Sequence, residues 1–238
     1  MQLLPWLLTW FIWRAMGDMV IQRFFVPQNQ NMKITSPTQQ MIVEYELQCA
    51  MLCMQNSTCL SFSVTQASGT LICSFGYKYN QPRTTDVSSK FFYREATIPA
   101  GYNLVPGTNC YVKLVGGQSI NQANAALACK NEGSELVSSN NALVNNYIKQ
   151  QWASVPAGQY YWVGGLSVAD MYHWTFPDGT NVSVDGQGQS YFCSVEPDGY
   201  AGDNCIWVWN YDTGIACWND RWCTDPANGY ICEIKLPQ

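Results

Sequence analysis

The 238-residue sequence predicts an α+β fold made of two small disulfide-stapled modules, and three observations carry that expectation. The cysteines fall in two groups, Cys49 to Cys73 and Cys110 to Cys232. Each group mixes apolar residues at helical spacing with short alternating, strand-like runs. Between the groups, Glu95-Ala96-Thr97-Ile98-Pro99-Ala100-Gly101 has the small-residue and Pro/Gly composition of a linker. Modules over 22–95 and 101–236 follow, joined by a linker at 96–100.

Composition narrows the function. Charged residues make up 12% of the chain, against about a quarter in an average globular protein, so disorder is not expected. Acidic residues outnumber basic ones 17 to 12, and a net charge of -5 argues against a nucleic-acid partner. At the N-terminus, Leu3 to Trp13 forms an apolar run ended by Arg14, shorter than the roughly 20 residues of a membrane span. Ala15-Met16-Gly17 then offers small residues for cleavage, so residues 1–17 are expected to be a signal peptide and the protein secreted and extracellular, with no membrane span. Only Met1 and Gln2 precede the run, without the usual positive charge, which leaves a short interfacial anchor as the alternative. An oxidising compartment makes disulfides the default for the cysteines.

In the first module, Glu44 to Met54 carries Leu47, Ala50, Met51 and Met54 at helical spacing, with Cys49 and Cys53 one turn apart on a shared face. Leu60, Phe62 and Val64 alternate as in a half-buried strand, Ala67-Ser68-Gly69 reads as a turn, and Thr70 to Phe75 returns with Cys73. Pairing Cys53 with Cys59 closes the helix end, and pairing Cys49 with Cys73 ties the helix to the return strand. Each bond contributes about 2 to 4 kcal/mol where some 70 residues cannot bury a large core. Zinc is disfavoured, since the group has no Cys-x2-Cys pair and no nearby His. The spacing Cys49-x3-Cys53-x5-Cys59, the Leu60-Ser61-Phe62 strand, Cys73 and the closing Phe91-Phe92-Tyr93 strand resemble the PAN/apple family. That resemblance implies a protein or carbohydrate partner through a variable surface. The matching residues are scaffold, so no binding residue carries over.

In the second module, Asn121 to Asn131 (Ala125, Ala126, Leu127, Cys129) and Asn140 to Trp152 (Leu143, Val144, Tyr147, Ile148) read as helices. Tyr161-Trp162-Val163 is a buried-strand candidate, followed by Gly164-Gly165 where a bend or close backbone approach excludes a side chain. Long Gly/Asp/Asn-rich loops come next. Cys110-Tyr111, Cys129 in a helix, Trp162-Val163-Gly164-Gly165, Trp174 to Gly179, Glu196-Pro197-Asp198, Cys205, Trp218-Asn219-Asp220 with Cys223, and Tyr230-Ile231-Cys232-Glu233 occur in the order of a C-type lectin-like domain, which the region from about 100 to 236 resembles.

The resemblance implies disulfides Cys129–Cys232 and Cys205–Cys223, worth about 3 to 5 kcal/mol each. Because the family brings the Glu-Pro-Asp and Trp-Asn-Asp motifs together, Cys193 is expected to pair with Cys217. Cys110 is then odd, either free or linked to a second chain in a disulfide-bonded dimer. The resemblance also implies a Ca2+ site. Calcium takes 6 to 8 oxygen ligands, and Glu196, Asp198, Asp203, Asn219 and Asp220 are the expected metal and carbohydrate ligands, with Glu196-Pro197 in the cis form the family uses. Two neighbouring sugar hydroxyls can offer lone pairs to the ion while exchanging hydrogen bonds with these side chains. The family associates Glu-Pro-Asn with mannose-type and Gln-Pro-Asp with galactose-type ligands; Glu196-Pro197-Asp198 is a hybrid that leaves Asn219 the sole amide donor, so sugar class is left open. Tyr200 and Trp222 could stack on a sugar or pack.

The expected function is therefore a secreted, calcium-dependent, non-enzymatic lectin for glycans or glycoproteins. The alternative is an extracellular protein-binding adhesion or matrix component without sugar binding. Trp162, Trp174, Phe176 and Trp207 are expected in the core. His173, the single histidine, is expected to be partly buried and structural; no Gly-x-Ser-x-Gly, His-Glu-x-x-His or phosphate-loop motif accompanies it. Glu196 and Asp198 could imitate a glycosidase pair, but their calcium motif explains them better. Asn56-Ser57-Thr58 and Asn181-Val182-Ser183 fit the N-glycosylation pattern.

Overall fold

In two of the three described helices a cystine fixes the buried stripe. In the computed structural model, which describes residues 25–95, 98–167, 172–184, 191–194, 196–198, 204–211 and 215–237, the described residues divide into two compact units, one up to residue 95 and one from residue 98 to 236. The expected signal peptide lies outside the described residues. Among those described, no helix is long and apolar enough to cross a membrane.

The first unit is a five-stranded antiparallel sheet with one helix. Its strands are β1 (Phe25–Ile34), β2 (Gln39–Val43), β3 (Ser61–Ala67), β4 (Thr70–Gly76) and β5 (Arg83–Arg94), in the order β1-β5-β3-β4-β2, and α1 spans Glu46–Gln55. Disulfides Cys49–Cys73 and Cys53–Cys59 join the expected partners. They turn Cys49, Ala50 and Cys53 inward. Met51 and Met54, expected on the apolar stripe, are instead exposed, because covalent links outrank the weak preference of a ten-residue helix.

Strand β3 is buried along both faces from Ser61 to Thr65. Phe62 and Val64 join the apolar core, while the opposite face is small and polar with every hydroxyl placed. Ser61 Oγ donates to the Lys78 carbonyl at 2.7 Å, Ser63 Oγ accepts from the Ile34 N–H at 3.2 Å, and Thr65 shares a 2.7 Å bond with Ser89. Buried hydroxyls are tolerated on those terms.

In the second unit the strands are β6 (Asn103–Leu104), β7 (Cys110–Ile120), β8 (Glu135–Leu136), β9 (Tyr160–Leu166), β10 (His173–Thr175), β11 (Asn181–Ser183), β12 (Cys205–Tyr211), β13 (Ile215–Arg221) and β14 (Ala227–Lys235). The main path is β11-β10-β9-β14-β7-β6; β12 pairs with β9 and β13, and β8 with β14. Helices α2 (Gln122–Asn131) and α3 (Ala142–Trp152) each begin one residue after an Asn cap. Asn121 Oδ1 accepts from the Asn124 N–H at 3.0 Å, and Asn141 Oδ1 accepts from the Leu143 N–H at 2.9 Å. Helix α3 therefore starts two residues later than the apolar pattern predicts, and Leu127 and Leu143 face solvent while Ala125, Cys129, Val144 and Ile148 are buried.

Disulfide Cys129–Cys232 ties α2 to β14, Cys205–Cys223 ties the start of β12 to the segment after β13, and Cys193–Cys217 ties the 191–194 segment to β13. At Gly164 a Cβ would lie 2.4 Å from Pro177 Cδ, and at Gly165 2.5 Å from Ile206 Cδ1, so both positions need glycine for close packing.

Of the two alternatives for Cys110, the structure shows the free thiol: its side chain is buried at the start of β7 and donates to Glu233 Oε2 at 3.1 Å. Burial and the Glu233 carboxyl raise the thiol pKa far above its usual value.

Candidate functional site

Two stretches of the second unit meet at one buried point. The first, 191–194 with 196–198, is fastened along β13: Trp218 N–H donates to the Tyr191 carbonyl and Cys193 N–H to the Trp218 carbonyl, both at 2.8 Å, and the Cys193–Cys217 disulfide adds a covalent link. Glu196 N–H then donates back to the Cys193 carbonyl at 3.0 Å, and the Glu196-Pro197 peptide is cis. The second stretch is the end of β13. Strand alternation sends Trp218 and Asp220 to the core face, opposite Ile206 and Val208 of β12, while Asn219 lies opposite Trp207 on the other face.

Glu196, Asp198 and Asp220 each bring a carboxylate oxygen within 4.8 Å of the other two. Oxygens about 2.3 to 2.6 Å from a single ion lie at most about 5 Å apart, so this spacing fits one divalent cation. The three differ in what already holds them. Glu196 is buried; its Oε2 accepts from the Asp198 N–H at 3.1 Å and its Oε1 from Asn219 Nδ2. Asp198 is exposed. Asp220 is 2% exposed, and among the described residues no fixed donor makes a hydrogen bond to either of its oxygens. Its own N–H and that of Asp198 lie near enough to ease the charge but not in hydrogen-bonding geometry. Its contact with Glu196 becomes a hydrogen bond only when one of the two carboxyls carries a proton.

That arrangement is costly for negative charge. Burial, the Asp220 carboxyl and the Asp198 charge push Glu196 up to about 7, and burial likewise raises Asp220. A bare, buried carboxylate beside a second one is the donor set a hard cation relieves, so the residues fit calcium.

Other expected residues fall differently. Asp203 and Tyr200 lie outside the described residues. Trp222 is 53% exposed, next to Arg221, which pairs with Asp225 at 2.9 Å. Trp162, Trp174, Phe176 and Trp207 are all buried. His173 is exposed, contrary to expectation: on β10 it alternates with Trp174, which takes the core side. Asn181 is exposed on β11, and Asn56 accepts from Thr58 in a local turn. Trp207, expected only as core, has a polar role as well: its Nε1–H donates to Asn219 Oδ1 at 2.8 Å. The one signal of this along the chain is the alternation of Trp207 with Ile206 and Val208, which implies an opposite face but not its partner.

The family comparison agrees with the geometry. The family model of the Lectin C-type domain matches residues 118–234. Similar solved structures include the C-type lectin domain of murine dendritic cell inhibitory receptor 2 in complex with N-glycan, 18% identical over 58% of this chain and 99% of that one, with a TM-score of 0.48. A Ca2+-dependent type II antifreeze protein in its Ca2+-free form is 26% identical over 57% and 98%, TM-score 0.46. Human lithostathine is 18% identical over 58% and 99%, TM-score 0.48. A search of curated proteins found no match. Through residues 118–234, the second unit is a C-type lectin domain.

Proposed function

We propose that this is a secreted, non-enzymatic recognition protein whose C-type lectin domain binds glycans with calcium held by Glu196, Asp198 and Asp220, with Asn219 beside them and Asp203 as a further ligand expected from the sequence alone. One observation carries the reading: carboxylates from two separated stretches converge, and the most buried of them, Asp220, has neither oxygen satisfied. A bound calcium ion supplies coordination positions that two neighbouring sugar hydroxyls can fill. The protein's own part is to hold the acceptors together: the Cys193–Cys217 link and the β13 backbone fix the two stretches side by side, and Asn219 Nδ2 orients Glu196. The first unit, a sheet and helix crossed by two cystines, supports the reading of a PAN/apple-like module that takes a protein partner.

The rival is a protein-binding adhesion or matrix component in which calcium only orders loops. It is favoured by the full commitment of Glu196, whose two oxygens are already engaged within the protein. A glycan array probed with and without a chelator separates them. Chelator-sensitive glycan binding is the expected result; binding to a protein partner that survives chelation, with no sugar signal, would establish the rival.

A further inference from the structure

Asn56 and Asn181 stand in the two Asn-x-Ser/Thr patterns of the chain, and each offers a side-chain nitrogen that can be built upon. Asn56 follows the last residue of α1 and uses every hydrogen-bonding atom but one. Its N–H donates to the Cys53 carbonyl at 3.2 Å, its carbonyl accepts from the Cys59 N–H at 3.0 Å, and its Oδ1 accepts from the Thr58 N–H at 3.0 Å and from Thr58 Oγ1 at 2.8 Å. A backbone N–H can only donate, so the amide oxygen must face Thr58 and the nitrogen must turn away. Among the described residues Nδ2 has no partner, and it is not sealed from solvent. Ser57 and Thr58 beside it are exposed. Asn181 lies on β11, the end strand of the larger sheet, which pairs with β10 alone among the described residues. Val182 packs against the core, so Asn181 turns outward and is exposed, its Oδ1 2.8 Å from the hydroxyl of its cross-strand partner Thr175. An open strand edge invites pairing with a second chain unless something charged or bulky covers it.

We propose that Asn56 and Asn181 each carry an N-linked oligosaccharide, and that the one on β11 guards the open edge of the sheet. This rests on the reading of the chain as secreted, because the transfer belongs to the secretory pathway. The co-substrate is an oligosaccharide held on a lipid diphosphate. A bond forms between Nδ2 and the anomeric carbon, the bond from that carbon to the diphosphate oxygen breaks, the amide loses one proton and keeps the other, and the lipid diphosphate leaves. The product fits both places in the folded protein: the amide oxygens keep their hydrogen bonds, and no described partner of either nitrogen is displaced. These are sugars the chain carries, apart from any it binds at the Glu196–Asp198–Asp220 cluster.

The test is secretion of the full chain from cultured eukaryotic cells, followed by intact mass and peptide mapping before and after an amidase that releases N-linked glycans. Wild type and Thr58→Ser, which keeps the hydroxyl and the pattern, are expected to carry a glycan at both positions; Asn56→Gln and Asn181→Gln each lose one of the two. An unmodified Asn at either position in the secreted wild type overturns the proposal. The edge role is read by sedimentation velocity: Asn181→Gln should self-associate at a concentration several-fold below that of wild type or Asn56→Gln. Equal self-association of the three overturns it. If the wild type stays in the cytosol, the secretion reading fails, and the same mapping on a chain whose residues 1–17 are replaced by an established secretory leader decides the two sites on their own.

Discussion

Glu233 and Asp220 are both acidic side chains buried in the second unit, 5% and 2% exposed, and their surroundings are opposite. Glu233, on β14, has both oxygens engaged: Oε1 accepts from the Ser138 N–H at 3.0 Å and Oε2 from the Cys110 thiol at 3.1 Å. Asp220, on β13, receives no such donor from the described residues. Burial raises the pKa of both, so low dielectric does not distinguish them. The donors do. A buried carboxylate whose oxygens are supplied from its own chain is structural, whereas one left bare beside two others, as Asp220 is, is what the proposed cation site rests on.

The largest expected effect comes from the satisfied side of this contrast. Glu233→Ala removes two hydrogen bonds, strands the Ser138 N–H and opens a cavity, and should lower stability by about 3 kcal/mol while leaving calcium affinity unchanged. Chemical denaturation with and without calcium checks both halves. A smaller effect of opposite sign is expected at the other carboxylate: Asp220→Asn, measured without metal, should raise stability by about 1 kcal/mol, because a buried charge with no donor is removed. Loss of stability comparable to that of Glu233→Ala would mean that the two carboxylates play the same role.

The third effect is a pH dependence. Glu196 is raised from 4.5 to about 7 in the folded protein. Between those values the folded state binds more protons than the unfolded one, so metal-free stability falls as pH rises from about 4.5 to 7 and is fully present below about 4.5. Glu233 and Asp220 are also raised and contribute with the same sign. The share belonging to Glu196 is therefore the slope that disappears in Glu196→Gln. Calcium affinity should move the other way, weakening on acidification as the ligands take up protons. A metal-free stability curve identical in wild type and Glu196→Gln would contradict the crowding of carboxylates at this point.

The smallest effect concerns Cys110. Its buried thiol should resist alkylation in the native protein and react once upon unfolding, with a single monomer band on a non-reducing gel. Rapid native labelling would place the sulfur on the surface.

Much of the scaffold is legible in the order and spacing of the residues. Cysteine spacing against helical and strand periods points to the two cystines of the first unit, and the ordered motifs of the second point to Glu196, Asp198, Asn219 and Asp220. What escapes depends on cross-strand register. Nothing along the chain shows that Trp207 will lie opposite Asn219, or that β14 will bring Glu233 to Cys110 at the head of β7. Those pairings set the Asn219 amide oxygen against the Trp207 indole and the Cys110 thiol against Glu233. His173 departs from expectation for a different reason: two aromatic neighbours suggest burial, but one-residue alternation on β10 places it on the solvent side of Trp174. Helix α1 shows the same limit, since apolar spacing alone cannot rank Met51 and Met54 against the stripe fixed by the cystines.

The most direct test is calcium titration of the wild type and Asp220→Asn by calorimetry in the same buffer at neutral pH. The cluster predicts saturable binding that requires Asp220, present in the wild type and absent in the variant. Equal binding in both, or none in the wild type, would contradict the claim that these carboxylates converge to hold an ion.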